Sequence, residues 1–293
     1  MEDAEVPAVW QSLGLPGLID LHVHFMPRNV MDKVWAYFDA AGPLTGVPWP
    51  IAYRTEEEDR LARLRAMGVL AFPSLVYAHK AGMSAWLNAW AADFAARHRD
   101  TGDVLHTFTF FPEPGARDYV AEQLDAGARI GKAHVQVGGY DPRDPLLDDV
   151  WGLLAEAGTP VVVHCGSGPA PGEFTGPGPF GEVLRRHPRL TAVIAHLGMP
   201  EYEEFLAFAE RYERVHLDTT MAFTDFAEQA APFPPVLRPR LLQLEQRILL
   251  GSDFPNTPYR YAHQVEALVR LGLGESWLRS VMHDNGARLL QGD

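Results

Sequence analysis

Residues 17–24, GLIDLHVH, carry the first clue to the fold. The stretch opens as a short apolar run of strand type and closes on two histidines one residue apart. Side chains alternate along a strand, so His22 and His24 share one face while Leu21, Val23 and Phe25 take the other. The same plan returns downstream. PVVVH (160–164) and TAVIAH (191–196) are apolar runs ending in histidine, and RILLGS (247–252) leads directly into Asp253. Comparable runs at 69–76, 104–110, 130–137 and 214–219 bring the predicted strands to eight.

Segments of helical period separate these runs, near 55–66, 84–99, 116–127, 146–157, 179–187, 201–212, 236–246 and 259–271, with a last piece near 275–290. The stretch 146–157 shows the logic. Leu146, Leu147, Val150, Leu153, Leu154 and Ala157 recur at helical spacing, and Gly158 is a good stop. Eight βα units in 293 residues are what a (β/α)8 TIM barrel needs, with a parallel core and its active site at the C-terminal ends of the strands. The expectation is a single barrel domain over 1–293. A doubly wound open sheet is the structural alternative, but no G-x-G-x-x-G follows the first strand.

Composition narrows the function. The chain is 47% hydrophobic and 22% charged, near the globular average, which excludes a disordered or collagen-like protein. A net charge of −13 disfavours a nucleic-acid partner. No apolar run approaches the ~18 residues of a membrane span, and the acidic opening MEDAE is unlike a signal peptide. One cysteine, Cys165, permits no intrachain disulfide and reads as a small buried residue. The expectation is a cytoplasmic enzyme acting on a small molecule, with homo-oligomerisation open.

The chemistry gathers at strand ends. Two neutral imidazoles ~6–7 Å apart on one strand can converge on a cation. A nitrogen of His164 and an oxygen of Asp253 would complete the shell, because in a closed barrel the first, fifth and eighth strands reach one mouth. Taken singly, each residue has a bland reading: a hydrogen-bonded strand-end histidine, or an aspartate capping a turn. Four strand ends carrying ligand-type side chains make coincidence improbable and point to a metal site. Three imidazoles and a carboxylate suit one Zn²⁺ best, with Mn²⁺ or Fe²⁺ admissible.

GLIDLHVH, VVVHCG, VIAHLG and LLGSDFP, with the closing HDNGARLL (283–290), resemble the strand ends of the amidohydrolase superfamily, above all its branch of metal-dependent decarboxylases and lactonases. The resemblance implies that His22, His24, His164 and Asp253 hold the metal. It places His196 beside it, as a further ligand or as the electrophile that polarises the substrate. Binuclear members bridge two metals with a carboxylated lysine near the end of the fourth strand. Here Lys132, His134 and Gln136 share one face of that strand, and period two aims them inward. Lys132 reads as too deep for a bridge, which favours one metal; its bland reading is a buried lysine paired with an acid.

Other residues carry weaker expectations. His134, Gln136, Arg28 and Asp218 are candidate substrate contacts, and Asp218 with Thr219 could equally orient a ligand histidine. Asp20 reads as a supporting group below His22. Tyr77, His79 and Lys80 follow the second strand, where a cation could hold a carboxylate. His98, His187, His263 and His283 fall in helical stretches and read as structural. Two segments exceed what connection requires: 25–54, rich in aromatics, and 165–181, with ten Gly or Pro among seventeen residues. Each is either a substrate cover or a surface excursion.

The expected chemistry is hydrolysis of a C–N or C–O bond, amide or lactone in type, by metal-activated water. Asp253 would move the proton and His196 would stabilise the oxyanion. The alternative is non-hydrolytic decarboxylation of a small unsaturated or aromatic acid by the same residues. A nuclease or phosphoesterase, and a barrel without catalysis, are the remaining rivals.

Overall fold

The structure, a computed structural model, describes residues 1–292. Its strands are β1 (Leu18–Ile19), β2 (Val69–Pro73), β3 (Val104–Leu105), β4 (Thr107–Thr109), β5 (Ile130–His134), β6 (Val161–His164), β7 (Ala192–Ile194), β8 (Val215–Asp218) and β9 (Ile248–Leu249). All pair in parallel and in chain order, β1-β2-β3 and then β4 through β9. The predicted third strand is thus split at His106, whose carbonyl still accepts from Arg129 N at 2.8 Å.

Beyond β1 and β9 the two chain segments continue side by side. Leu21 N donates to Leu250 O (2.9 Å), Asp253 N to His22 O (2.8 Å) and His24 N to Phe254 O (2.7 Å). First strand meets last, as a TIM barrel requires and a doubly wound sheet forbids.

Period two sorts the strand residues into layers. Along β6, Val161 and Val163 pack outward with the helices, while Val162 packs inward with Ile19, Leu21, Ile130 and Val193. Lys132 and His134 on β5 pair in register with Val162 and His164, so the same alternation turns them inward.

The helix at Pro145–Ala157 illustrates the outer layer. Asp144 caps it by accepting from Leu146 N, Pro145 occupies the first turn, and Gly158 ends it at φ 69°. It buries Leu147, Val150, Trp151 and Leu154, each worth roughly 1.5–3 kcal/mol. Leu146, expected on that stripe, lies on the exposed side. At the chain's end, Asn285 Nδ2 donates to the carbonyls of Glu245 and Ile248, both at 2.7 Å, which ties the HDNGARLL motif to β9.

No helix of the structure is long and apolar enough to cross a membrane.

Candidate metal centre

At the C-terminal ends of the strands lies a cavity of about 1090 Å³, lined by His22, His24, His134, His164, His196 and Asp253. Among the described residues, His22, His24 and Asp253 bring one ligand atom each to within 4.8 Å of one another. The His22 and His24 rings stand 5.1 Å apart, closer than an ideal strand spacing would put them. His22 Nδ1 donates to Asp218 Oδ2 at 2.8 Å, and His24 Nδ1 donates to Leu75 O at 2.7 Å. Each Nε2 is left with its lone pair. Asp253 Oδ1 faces those lone pairs at 3.0 Å from His24 Nε2 and 3.8 Å from His22 Nε2. Three electron-rich atoms meeting out of water repel one another unless a cation lies between them. The residues fit a divalent ion.

The backbone that presents these groups is unusual. Asp253 (φ 65°) and His196 (φ 56°) adopt the left-handed conformation, which costs a non-glycine residue energy and clusters at functional sites. Gly251 lets the β9 extension approach: a Cβ there would lie 2.1 Å from Thr220 Oγ1 and 2.9 Å from His22 Cβ.

His164 and His196 border the same centre but make other bonds. His164 Nε2 donates to Gly168 O at 2.9 Å, leaving Nδ1 as its lone-pair atom. Its ring stacks on His134 at 4.2 Å and lies 4.7 Å from that of His196. His196 Nδ1 donates to Thr220 O at 3.2 Å, so its Nε2 too accepts rather than donates. That suits a ligand better than an electrophile. His134 is the converse: its Nδ1 accepts from Val137 N at 3.2 Å, which puts the proton on Nε2.

Burial sets the protonation states. It pushes His22, His134 and His164 well below 6.5 and His196 to about 4, so all four are neutral at pH 7. Burial pushes Asp253 upward, but the His24, His22 and His196 rings around it outweigh burial and leave the carboxyl below the usual range. Asp20, buried and accepting from His22 N at 3.1 Å, rises to about 7 through burial.

Several expectations change. Lys132 is not too deep: its extended side chain brings Nζ to 3.4 Å from His22 Nε2. Burial lowers it to about 8. Arg28 does not reach the cavity; it is exposed and bonds Asp32 and Glu56. Asp218 does not reach it either. It is fully buried, and besides His22 it accepts from His196 N at 2.8 Å, so it is bonded to two of the histidines that line the cavity. Gln136 leaves the expected strand because β5 stops at His134 and a helical turn, Val135–Gly138, follows. It still borders the cavity, with its amide donating to Ala170 O of the Gly/Pro-rich segment.

Both long segments line the cavity, 25–54 through the helix Arg28–Ala40 and Trp49, and 165–181 through Gly166–Gly172. Trp49 packs between Phe38 and Phe226, each at 4.8 Å. The carbonyls of Leu75, Gly168 and Thr220, which fix the tautomers, leave no mark in a sequence.

A family model described as Amidohydrolase matches residues 19–292. Among solved structures, an uncharacterized TIM-barrel protein from Bordetella bronchiseptica is 20% identical with a TM-score of 0.72, over 94% of this chain and 99% of that one. A 5-carboxyvanillate decarboxylase from Sphingomonas paucimobilis is 14% identical (TM-score 0.63; 95% and 100% covered). A probable 2-pyrone-4,6-dicarboxylic acid hydrolase from Acinetobacter baumannii is 12% identical (TM-score 0.60; 94% and 99% covered). No curated protein matches the sequence.

Proposed function

The chain belongs to the amidohydrolase family, and on that premise we propose that it is a metal-dependent hydrolase opening a C–N or C–O bond of a small organic substrate. The observation that carries this reading is the meeting of His22 Nε2, His24 Nε2 and Asp253 Oδ1 with their lone pairs facing one another. In the proposal, His164 joins these ligands through Nδ1, Zn²⁺ is the preferred ion, and Mn²⁺ or Fe²⁺ are admissible. A bound divalent ion would supply Lewis-acid polarisation and an acidified water.

The chain's own residues supply the rest. Asp253, ionised at neutral pH, takes a proton from the attacking water and returns it to the leaving atom. His134, the neutral ring with a proton on Nε2, donates to the substrate oxygen on which charge develops. Asp218 and the Leu75 carbonyl hold the His22 and His24 rings in the tautomer that keeps the proton off Nε2.

The likeness to a 5-carboxyvanillate decarboxylase supports a second reading, decarboxylation of an unsaturated or aromatic acid. Asp253 would then deliver the proton to the carbon that CO2 leaves. A panel of lactones, amides and aromatic acids, incubated with the protein and resolved by mass spectrometry, tests the choice. Products whose masses sum to substrate plus one water, as one ring-opened species from a lactone or two fragments from an acyclic amide, support hydrolysis, and a product lighter by carbon dioxide moves the assignment to decarboxylation. Either activity should vanish in His22→Ala and Asp253→Asn.

A further inference from the structure

We propose that Lys33, His79 and Lys80 form an anion subsite at the mouth of the cavity, and that the substrate is an organic acid with a second carboxylate remote from the reacting group. The inference rests on the reading of the His22/His24/Asp253 cluster as the reacting end.

Of the 25 basic residues, 22 are arginines and only three are lysines, at 33, 80 and 132. All three lysines belong to the cavity: Lys33 and Lys80 line it, and Lys132 stands against His22. Among the described residues 12 of the 22 arginines pair with carboxylates, as in Arg54–Asp39, Arg97–Asp93 and Arg240–Glu210, and none of the 22 borders the cavity. Asp32, beside Lys33 in sequence, is engaged by Arg28. Neither Lys33 nor Lys80 has a carboxylate partner among the described residues. Two cations at a cavity mouth without counter-charge attract an anion.

Their placement follows from the elements that carry them. Val30, Lys33, Val34 and Tyr37 line the cavity at helical spacing, so one face of the helix Arg28–Ala40 looks into it. His79 and Lys80 follow Tyr77, whose ring lies 5.6 Å from that of His24. Burial first, then Lys80 and Lys33, lower the pKa of His79, and all three residues line the one cavity. Two ammonium groups and an N–H are single-point donors that can divide the two oxygens of a carboxylate between them. Glu201 also lines the cavity, but its Oε2 accepts from Ser167 N at 3.0 Å.

Calorimetric titration of the protein, with the metal it carries on purification, by isophthalate and by benzoate tests the proposal. Isophthalate should bind about tenfold more tightly, an advantage that shrinks with added salt. The double variant Lys33→Met/Lys80→Met should bind the two acids alike while keeping the benzoate affinity and metal content of the wild type. Equal or undetectable binding of both acids to the wild type, or a double variant that keeps the preference, would overturn the subsite. Metal content separates the two failures. A metal-free wild type that still prefers isophthalate overturns the reading of the donor cluster alone, whereas a metal-loaded protein without the preference overturns the subsite alone.

Discussion

Six histidines line one cavity, and around the candidate metal centre the groups bonded to their other ring nitrogens give His22, His24, His134, His164 and His196 different capacities. His22, His24 and His196 turn a lone pair inward because Asp218, Leu75 O and Thr220 O take the Nδ1 proton. His134 alone accepts a backbone N–H at Nδ1 and so offers a proton at Nε2. Replacing His134 with alanine should lower kcat by about 10²–10³-fold, the cost of losing an oxyanion donor. His134→Gln, which keeps a donor, should recover part of that rate; a kcat unchanged in the alanine variant would remove His134 from the reaction. Asp218→Asn should weaken metal retention by roughly 10–100-fold in a chelator competition, because His22 loses the group that fixes its tautomer. The H-x-H pair and Asp253 were legible in the sequence because period two and residue chemistry are local. The division of roles was not, since backbone carbonyls from other strands decide it.

At the scale of elements, the barrel and most helices follow from apolar period and stop signals, and the misses lie at strand ends. The predicted strand 130–137 stops at His134, where Val135–Gly138 turns helical and carries Gln136 to the rim. A one-residue view of depth also misjudged Lys132, because a four-carbon stem spans the distance from its backbone to His22. The left-handed backbone at His196 and Asp253 had no sequence signal, since neither residue is glycine. Gly251, by contrast, was visible in LLGSDFP and gains its reason only from the packing around it. Gly251→Ala should push His22 and Thr220 aside, with a loss of about 1–3 kcal/mol in stability and a drop in bound metal. Parallel denaturation and metal analysis would show both; a variant as stable and as metal-rich as the wild type would contradict the packing.

Across the whole molecule, joining the first strand to the last brings residues 22, 24, 164 and 253 to one mouth, and it buries them there. Burial has a consequence for pH. In the metal-free protein, burial holds His196 at about 4 and His216 at about 3, and it holds His22, His134 and His164 well below 6.5. A histidine with a depressed folded pKa contributes fully above its unfolded pKa and loses that contribution as pH falls. Asp20 opposes them: burial raises it from 3.8 to about 7, so its contribution is lost as pH rises through that value. Five groups outweigh one. Urea midpoints of the metal-free protein should therefore rise from about pH 4.5 to about pH 6.5, and a flat or falling series would contradict neutral buried histidines.

The most direct test of the metal centre is elemental analysis of protein purified without chelator, for the wild type and for His24→Ala, His164→Ala and Asp253→Asn, with folding checked by circular dichroism. The expected result is about one divalent ion per chain in the wild type and little or none in the folded variants. A folded, active wild type without metal, or variants that keep the ion, would contradict it.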